Sequence, residues 1–359
     1  MKVLQATTAR GWSGGTEQAL LLAKYMNRLG VETHLLTYPG TELDKRAEKL
    51  GIKRVYFPNT VKFSLKEAKA LASILAGYDV VNTHISKAHW FVWSALPFTG
   101  RRPKVVYSRR VPYKLSPFSL LTKYNLFTDA IIAVSPAIFD YLRSVPLIGK
   151  KVHYIPSGVE LDRFNPAVES GFREELGLPP DALLFVNVAN FSSVKGQHVL
   201  LPAFREFLNK TGLNAYLALA GRDTDSRQAR ELTESLGLVD RVFHLGFRRD
   251  IPQVLKGADV FVFPSLNEGI AGSLLQAMAM EKVVVASYVG GIRSYLKHLE
   301  NGIAVEPSSV KSLVRGLELA VENLRNRKMK ERARQTASEF DIKRIAEKTL
   351  KLYRELLDG

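Results

Sequence analysis

A glutamate and a lysine each follow an apolar run, at points where the sequence changes to a helical pattern. Glu268 stands between ADVFVFPS and GSLLQAMAM, and Lys195 stands between ALLFVNVAN and GQHVLLPAF. An ammonium group can neutralise a diphosphate, and a carboxylate can accept hydrogen bonds from the hydroxyls of a sugar. These residue types favour recognition of a phosphorylated sugar. A surface lysine and a loop glutamate at a helix start stay open as alternatives.

A glycine-rich turn precedes the first predicted helix. Gly11, Gly14 and Gly15 lie in ARGWSGGTEQALLLA, between the first apolar run and the helical pattern. Because glycine has no Cβ, backbone N–H groups of such a turn can meet a phosphate at the positive end of a helix. The GxGxxG spacing of dinucleotide folds and the GxxxxGKS or GxxxxGKT motif are both absent, so ATPase-like and kinase-like chemistry lose support. A tight turn without a ligand is the alternative.

The elements that must position these groups alternate along the whole chain. Short β-branched runs are followed by amphipathic segments, which is typical of a doubly wound α/β sheet. The alternation restarts at ALLFVNVAN, so we predict two Rossmann-like domains with a linker near residues 160–170. The predicted strands are KVLQATTA, VETHLLTY, DVVNTHI, KVVYS, AIIAVS and KVHYIP, then ALLFVNVAN, NAYLALAG, RVFHLG, ADVFVFPS and KVVVAS.

Composition excludes several kinds of site. The 359 residues include no cysteine, which excludes disulfides, thiolate metal sites and a cysteine nucleophile. No apolar run approaches the roughly 18 residues of a membrane span, and the first residues carry no hydrophobic leader segment. A cytoplasmic protein is therefore expected.

Positive charge is concentrated in the first part of the chain. The net charge is +16, and residues 1–165 carry 24 Lys and Arg against 11 Asp and Glu. Such a surface should attract anions, and three interpretations stay open: a solvated basic surface, an anionic membrane or acidic lipid-linked acceptor, and nucleic acid, for which no motif is present. The densest stretch contains Arg101, Arg102, Lys104, Tyr107, Arg109, Arg110, Tyr113, Lys114, Phe118, Lys123, Tyr124 and Phe127.

One pair of aspartates imitates a metal motif. Asp223 and Asp225 in GRDTDS have the DxD spacing, but they follow a predicted strand, and Asp225 is expected to cap the helix that begins near Ser226. The histidines show no metal-ligand spacing. No metal is expected.

The run PSLNEGIAGSLLQAMAMEKVVVASYVGG resembles the signature of retaining glycosyltransferases with the GT-B fold, in particular the large family 4 that uses nucleotide-activated sugars. Further similar motifs follow in order along nearly the whole chain: GGTE, DVVNTH, IPSGVELDRF, VKGQHVLLPAF and VFHLGFRRDIP. The resemblance implies two Rossmann-like domains that face each other across a cleft. Residues 1–165 would bind the acceptor, residues 166–339 would bind the nucleotide sugar, and residues 340–359 would form a C-terminal helix that returns to the first domain.

Two positions match the donor site of this family, and two depart from it. Glu268 matches the first glutamate of a Glu-x7-Glu motif, which contacts the donor sugar, and Lys195 matches a lysine on the donor diphosphate. The resemblance makes these two the expected catalytic residues. The second glutamate is Gln276 here, which keeps hydrogen bonding without the charge. The arginine expected five residues before the lysine is Asn190, so the diphosphate loses one customary cation. The full set of expected donor contacts is Gly14, Gly15, Asn190, Lys195, Glu268, Gly269, Ala271, Gly272, Ser273, Leu274 and Gln276.

The acceptor side departs from the family as well. The family histidine after the fifth strand falls at Arg110 in YSRRV, and a glutamate often found after the GG pair is Ser294. Arg109 or Arg110 is expected to bind an anionic acceptor or to supply the missing phosphate contact. His84 in NTH matches a position that lines the acceptor side, and a hydrogen-bonded structural histidine is its alternative.

The expected function is retaining transfer of a sugar from a nucleoside-diphosphate sugar to an acceptor hydroxyl. The positive charge favours a glycolipid or lipopolysaccharide core as the acceptor, and a peripheral place on the inner face of the membrane. Two alternatives stay open: a nucleotide-sugar epimerase of the same fold, and a non-catalytic protein that binds sugar nucleotides or polyanions. No cofactor and no nucleic acid are expected.

Overall fold

The structure covers almost the whole chain. The computed structural model describes residues 1–58, 64–110 and 115–359. Tyr113 and Lys114 of the predicted basic stretch therefore lie outside the described residues. Within the described ranges, no helix is both long enough and apolar enough to cross a membrane.

The chain divides into two compact units, and the second interrupts the first. Unit 1 combines Met1–Gly158 with Ile342–Gly359. Unit 2 is the continuous segment Val159–Asp341. Each unit contains one sheet with helices on its faces.

The first boundary comes earlier in the chain than the predicted one after Asn165. The Val159 N–H donates to the carbonyl oxygen of Phe340 at 2.8 Å, and both residues belong to unit 2. Phe164 is buried in an apolar cluster of the same unit. The segment that the sequence suggested as a linker is therefore packed against unit 2.

Parallel strands form the centre of each unit. The strands of unit 1 are β1 Lys2–Ala6, β2 Glu32–Thr37, β3 Arg54–Tyr56, β4 Val80–Thr83, β5 Lys104–Arg109, β6 Ala130–Ala133 and β7 Val152–Tyr154. The strands of unit 2 are β8 Leu183–Val188, β9 Ala215–Ala220, β10 Val242–Gly246, β11 Val260–Phe263, β12 Val283–Ser287 and β13 Ile303–Val305.

Helices connect the strands and cover the sheets. The helices in the first segment of unit 1 are α1 Gly14–Arg28, α2 Glu42–Lys49, α3 Leu65–Leu75, α4 Ser86–Ala95, α5 Pro117–Ser119 and α6 Pro136–Arg143. They continue with α7 Phe172–Glu175, α8 Gln197–Thr211, α9 Arg227–Ser235, α10 Ile251–Gly257, α11 Gly272–Ala279, α12 Val310–Glu322, α13 Arg327–Glu339 and α14 Ile342–Asp358. Short 3₁₀ turns and one π-helical turn, Leu120–Tyr124, occur between them.

Both sheets confirm the predicted α/β class with two Rossmann-like domains. In the described ranges the strand orders are β3-β2-β1-β4-β5-β6-β7 and β10-β9-β8-β11-β12-β13, and all pairs are parallel. The predicted strands did not include β3 and β13. Each has three residues and lies at a sheet edge, so neither produces the long apolar run of a buried parallel strand.

Each sheet has one point at which the strand order reverses, between β1 and β4 in unit 1 and between β8 and β11 in unit 2. Connections that leave neighbouring strands there diverge to opposite faces of the sheet, which opens a crevice at the carboxyl ends of the strands. His84 directly follows β4, the loop with Lys195 follows β8, and the loop with Glu268 follows β11. The topology therefore brings predicted site residues to the two places where open α/β sheets bind ligands.

The C-terminal helix belongs to unit 1 and completes its core. Helix α14 packs against α1, and Tyr353 is fully buried. The Tyr353 hydroxyl lies 3.4 Å from Nε2 of Gln5 in β1. Ile342 and Ile345 join Val3 in one apolar cluster.

Candidate functional site

Lys195 lies in a tight turn at the carboxyl end of β8. A single 3₁₀ turn, Ser193–Lys195, leads into α8 through Gly196, which has a φ of +73°. A Cβ on Gly196 would lie 2.0 Å from the carbonyl oxygen of Pro264, which directly follows β11. Only glycine allows the turn to approach the end of β11 so closely. This approach carries the Lys195 side chain to the loop after β11.

Lys195 and Glu268 form an ion pair in that loop. Nζ of Lys195 lies 2.5 Å from Oε1 of Glu268, and the Ser265 hydroxyl donates to the same oxygen at 2.7 Å. The two side chains are 30% and 10% exposed, so the pair is partly shielded from water. Oε2 of Glu268 has no hydrogen-bond partner among the described residues. The carboxylate is fixed through one oxygen and keeps the other as an acceptor for a hydroxyl group.

A second close approach holds the backbone of Glu268. Gly290 has a φ of +48°, and a Cβ there would lie 1.9 Å from the Glu268 carbonyl oxygen. The N–H of Gly291 donates to that oxygen at 3.1 Å. Ser294, in place of the family glutamate, donates its hydroxyl to the Gly291 carbonyl at 2.7 Å. The turn after β12 therefore fixes the loop that carries Glu268.

Tyr295 follows the same turn and lies close to Glu268 from within the core of unit 2. Its side chain is buried, and its hydroxyl has no hydrogen-bond partner among the described residues. Burial and, second, the negative charge of Glu268 hold the pKa of Tyr295 well above its ordinary value. Tyr295 is therefore a neutral hydroxyl beside the carboxylate.

Helix α11 begins beside Glu268 with unbonded backbone N–H groups. Ala271 is its N-cap residue and provides no side-chain cap. The N–H groups at positions 272–274 have no hydrogen-bond partners among the described residues, and they form the positive end of the helix. Gly269 lies in the loop between Glu268 and the helix. Unit 2 thus brings together the predicted donor contacts from Glu268 to position 274, with Lys195 next to them.

Gln276 and Asn190, the two expected donor contacts that differ from the family pattern, have different environments. Gln276 lies inside α11 and is 8% exposed. Oδ1 of Asn190 accepts from the Arg222 N–H at 3.1 Å, and Nε2 of Gln197 donates to the Asn190 carbonyl at 3.1 Å. Asn190 therefore joins the loops after β8 and β9 and brings no charge to the site.

The aspartates of GRDTDS differ from the prediction. The N-cap of α9 is Ser226, whose hydroxyl accepts from the Ala229 N–H at 3.3 Å, and the prediction of Asp225 in this role was wrong. Both residue types cap well, and the serine is the one next to the first helical residue. The Asp225 carboxylate lies over Gly246, where a Cβ would come within 2.7 Å of Oδ2. In the described part of the chain, no three His, Asp or Glu side chains are grouped to hold a metal ion.

The glycine-rich turn of unit 1 begins a capped helix. Ser13 and Thr16 form a reciprocal capping box: the Thr16 N–H donates to the Ser13 hydroxyl at 3.4 Å, and the Ser13 N–H donates to Oγ1 of Thr16 at 2.7 Å. The N–H groups of Gly14 and Gly15 between them have no hydrogen-bond partners among the described residues. They form the positive end of α1.

His84 and Arg110 meet next to this turn. The His84 Nε2–H donates to Oε1 of Gln5 at 2.7 Å, and its Nδ1 accepts from Nη2 of Arg110 at 3.0 Å. Nη1 of Arg110 donates to the Ser157 hydroxyl at 2.6 Å. Burial and, second, the Arg110 charge hold the pKa of His84 well below its ordinary value. The histidine is therefore a neutral acceptor for the guanidinium.

Arg109 lies apart from these residues. It ends β5, is 3% exposed, and donates from Nη1 to the Tyr124 hydroxyl at 3.0 Å. Successive residues of a strand point to opposite faces, which separates Arg109 from Arg110. The structure brings His84 and Arg110 together among the predicted acceptor contacts, and it places Arg109 with Tyr124.

Several residues that position the side chains of the site were not predicted from the sequence. Gly196, Ser265 and Gly290 stand inside the motifs VKGQ, PSLNEG and YVGG, so a signal was present in the same runs that carry the resemblance. Gln5 and Ser157 have no such local signal. They reach His84 and Arg110 only because β1 and the segment after β7 lie near β4 and β5 in the sheet.

Family models match each part of the chain. The model described as Glycosyltransferase Family 4 matches residues 12–163. The model described as Glycosyl transferases group 1 matches residues 169–336. The first match includes His84 and Arg110, and the second includes Lys195 and Glu268.

Several known proteins are similar to this chain in sequence or in fold. The D-inositol 3-phosphate glycosyltransferase of Xylanimonas cellulosilytica is 32% identical over 194 residues, which cover 50% of this chain and 46% of that protein. This match thus spans about half of each protein. The putative glycosyltransferase EpsD of Bacillus subtilis is 25% identical over 357 residues, which cover 93% of this chain and 92% of that protein. The Anabaena protein HepE, solved in complex with UDP and glucose, has the same fold, with a TM-score of 0.86 and 21% identity over 98% and 99% of the two chains.

The lowered pKa of His84 predicts a pH dependence of stability. The unfolded chain takes up a proton near the ordinary histidine value of 6.5, whereas the folded chain resists it. Stability is therefore full above about pH 6.5 and is lost as the pH falls. In a His84→Gln variant the side chain at this position cannot take up a proton. Between pH 7.5 and pH 5, the free energy of unfolding of this variant should therefore fall by up to about 2 kcal/mol less than that of the wild type. Urea unfolding followed by circular dichroism at both pH values measures this, and an equal loss in both proteins would contradict it.

Proposed function

The chain belongs to the group 1 glycosyltransferases of the GT-B fold, and we propose that it transfers a sugar from a nucleoside-diphosphate sugar to an acceptor hydroxyl with retention of configuration. The observation that carries this proposal is the Lys195–Glu268 ion pair beside the unbonded N–H groups of α11. The pair offers a cation for a phosphate and a carboxylate for sugar hydroxyls. It lies at the edge of the sheet where the strand order of unit 2 reverses.

The groups of unit 2 fit the parts of such a donor. The Lys195 ammonium and the N–H groups at positions 272–274 would bind the diphosphate, because all of them donate hydrogen bonds and carry positive charge. Oε2 of Glu268 would accept from a sugar hydroxyl. Gln276 would bond the ribose hydroxyls as a neutral amide, which is weaker than a carboxylate. HepE was solved with UDP and glucose, so UDP is the first nucleotide to test.

Retention results when the acceptor enters on the face from which the diphosphate leaves. The bond from the anomeric carbon to the phosphate oxygen breaks, and the acceptor oxygen bonds to that carbon. The acceptor proton passes to the departing phosphate oxygen. Negative charge grows on the diphosphate as the sugar becomes oxocarbenium-like. Lys195, once it exchanges Glu268 for the diphosphate, and the α11 N–H groups would stabilise that charge, while Glu268 would hold the sugar in position.

An exposed apolar surface in unit 1 supports an acceptor at a membrane, such as a glycolipid or a lipopolysaccharide core. Phe118 on α5 is 74% exposed, and Leu121 in the next turn is 57% exposed. Leu126 follows them and is exposed as well. Large apolar side chains on a strongly basic domain are typical of proteins that bind anionic lipid surfaces. This surface lies in the part of the chain with 24 basic against 11 acidic residues.

Replacing Glu268 by glutamine should lower kcat at least tenfold. This factor corresponds to a loss of about 1.4 kcal/mol of transition-state stabilisation. The amide accepts hydrogen bonds less strongly and cannot form an ion pair with Lys195. Release of UDP from UDP-sugars measures turnover, and analysis of the sugar products separates transfer from epimerisation. Glu318→Gln is the matched control, because Glu318 pairs with Lys210 at 2.5 Å on another surface of unit 2. Wild-type turnover in the Glu268 variant would remove this residue from the proposed site.

Replacing Phe118 and Leu121 by serine should weaken binding to anionic vesicles at least fivefold, because each change removes exposed apolar surface that can enter the headgroup region. Sedimentation with vesicles of phosphatidylglycerol and phosphatidylcholine, against phosphatidylcholine alone, measures this at low and moderate salt. Val239→Ser is the control, since Val239 in unit 2 is 61% exposed. Negligible binding of the wild type to both kinds of vesicle would refute a membrane surface here.

A further inference from the structure

Arg110 is a cation that has no acidic partner among the residues the structure describes. It follows β5, and its Nη1 and Nη2 donate to the Ser157 hydroxyl and to Nδ1 of His84. Its Nε is buried and has no hydrogen-bond partner among the described residues. No carboxylate of the described residues pairs with it. The residue as a whole is half-buried, with its Nε shut off from water, so the guanidinium is a cation whose charge no described carboxylate balances.

The surroundings of Arg110 increase its electrostatic cost. Its Cδ lies 3.4 Å from the place of a Cβ on Gly15, so the side chain rests against the start of α1. That end of the helix is itself positive, because the N–H groups of Gly14 and Gly15 have no partners within the described ranges. His84 accepts from Arg110 as a neutral ring and provides no negative charge. Burial lowers the pKa of Arg110 to about 10, so the group stays charged at neutral pH.

An oxyanion would balance this charge. A phosphate or carboxylate beside Arg110 would receive charge-assisted hydrogen bonds from the guanidinium and would face the positive end of α1. The Arg110 side chain is already held by Ser157 and His84, so little rotamer freedom would be lost on binding. The cluster has the character of a prepared anion site.

The proposed donor has cationic partners of its own in unit 2, where its diphosphate would meet Lys195 and the α11 N–H groups. The N–H groups of Gly14 and Gly15, which the resemblance also assigns to the donor, lie beside Arg110 in unit 1, so the experiment must separate the donor from the acceptor as the source of the anion. Arg110, His84 and Ser157 all belong to unit 1. We propose that Arg110 binds a phosphate or carboxylate group carried by the sugar acceptor. The assignment to the acceptor rests on the proposed function, whereas the anion site itself does not.

Binding of inorganic phosphate to the full chain tests the site. Calorimetry at constant ionic strength should show phosphate binding to the wild type that is at least tenfold weaker in Arg110→Gln. In Arg110→Lys, which keeps the charge but loses the guanidinium fork, binding should be about threefold weaker or more. Arg102→Gln is the matched control, since this exposed arginine pairs with Asp129 at 3.1 Å and the same charge is removed. Its phosphate affinity should equal that of the wild type.

A second arm of the experiment identifies the source of the anion. The phosphate titration is repeated with saturating UDP. If the acceptor supplies the anion, phosphate affinity persists and Arg110→Gln binds UDP as the wild type does. Competition between UDP and phosphate, or a tenfold loss of UDP affinity in Arg110→Gln, would overturn the assignment to the acceptor. If UDP does not bind at all, the proposed donor chemistry fails, and the first arm still decides whether Arg110 binds an anion.

Thermal unfolding separates this role from a structural one. Without phosphate, Arg110→Gln loses its hydrogen bonds to Ser157 and His84 but also an unbalanced, half-buried charge, so its unfolding temperature should lie near that of the wild type. Phosphate should raise the unfolding temperature of the wild type and leave that of the variant unchanged. Equal phosphate responses in wild type, Arg110→Gln and Arg102→Gln would overturn the anion site. If Arg110→Gln does not fold, Arg110→Lys decides: phosphate affinity equal to that of the wild type would overturn the site.

Discussion

The candidate site depends on two backbone approaches that only glycine permits. Gly196 brings the turn after β8 against Pro264, and Gly290 brings the turn after β12 against the Glu268 carbonyl. A Cβ at either glycine would overlap backbone atoms, at 2.0 and 1.9 Å, and would force the loops apart. The ion pair of Lys195 with Glu268 exists because both approaches occur at the same edge of the unit 2 sheet. The chemistry that we propose for the donor rests on that pair.

The two units differ in whether a half-buried cation has an anionic partner. In unit 2, Lys195 is balanced by Glu268, and a donor diphosphate would exchange one anionic partner for another while the carboxylate becomes available to the sugar. In unit 1, Arg110 has neutral partners, and the helix beside it adds positive potential. A balanced cation is stable before a ligand binds, whereas an unbalanced one favours binding of an anion. If unit 1 binds an anionic acceptor as proposed, this difference accounts for an arginine where the family has a histidine.

The fold was largely predictable, because buried parallel strands leave continuous apolar runs, and only the short edge strands β3 and β13 lacked that signal. Lys195 and Glu268 could be identified from their motifs. Their pairing could not, since they are 73 positions apart and meet only through glycine contacts made by the folded backbone. Strand alternation could have separated Arg109 from Arg110, but only the tertiary structure shows that no acid of the described residues pairs with Arg110. Asp225 and Ser226 were both adequate caps, and local chemistry did not decide between them.

The most direct test of the central claim is the affinity of UDP for the wild type and for Lys195→Ala, measured by calorimetry at fixed moderate salt. GDP and ADP serve as comparison ligands, and Lys210→Ala removes an equally ion-paired lysine elsewhere in unit 2. We expect that one nucleoside diphosphate is preferred and that its affinity falls at least tenfold in Lys195→Ala and not in Lys210→Ala. Equal affinity in all three proteins, or equal losses in both variants, would contradict a donor site at the Lys195–Glu268 pair.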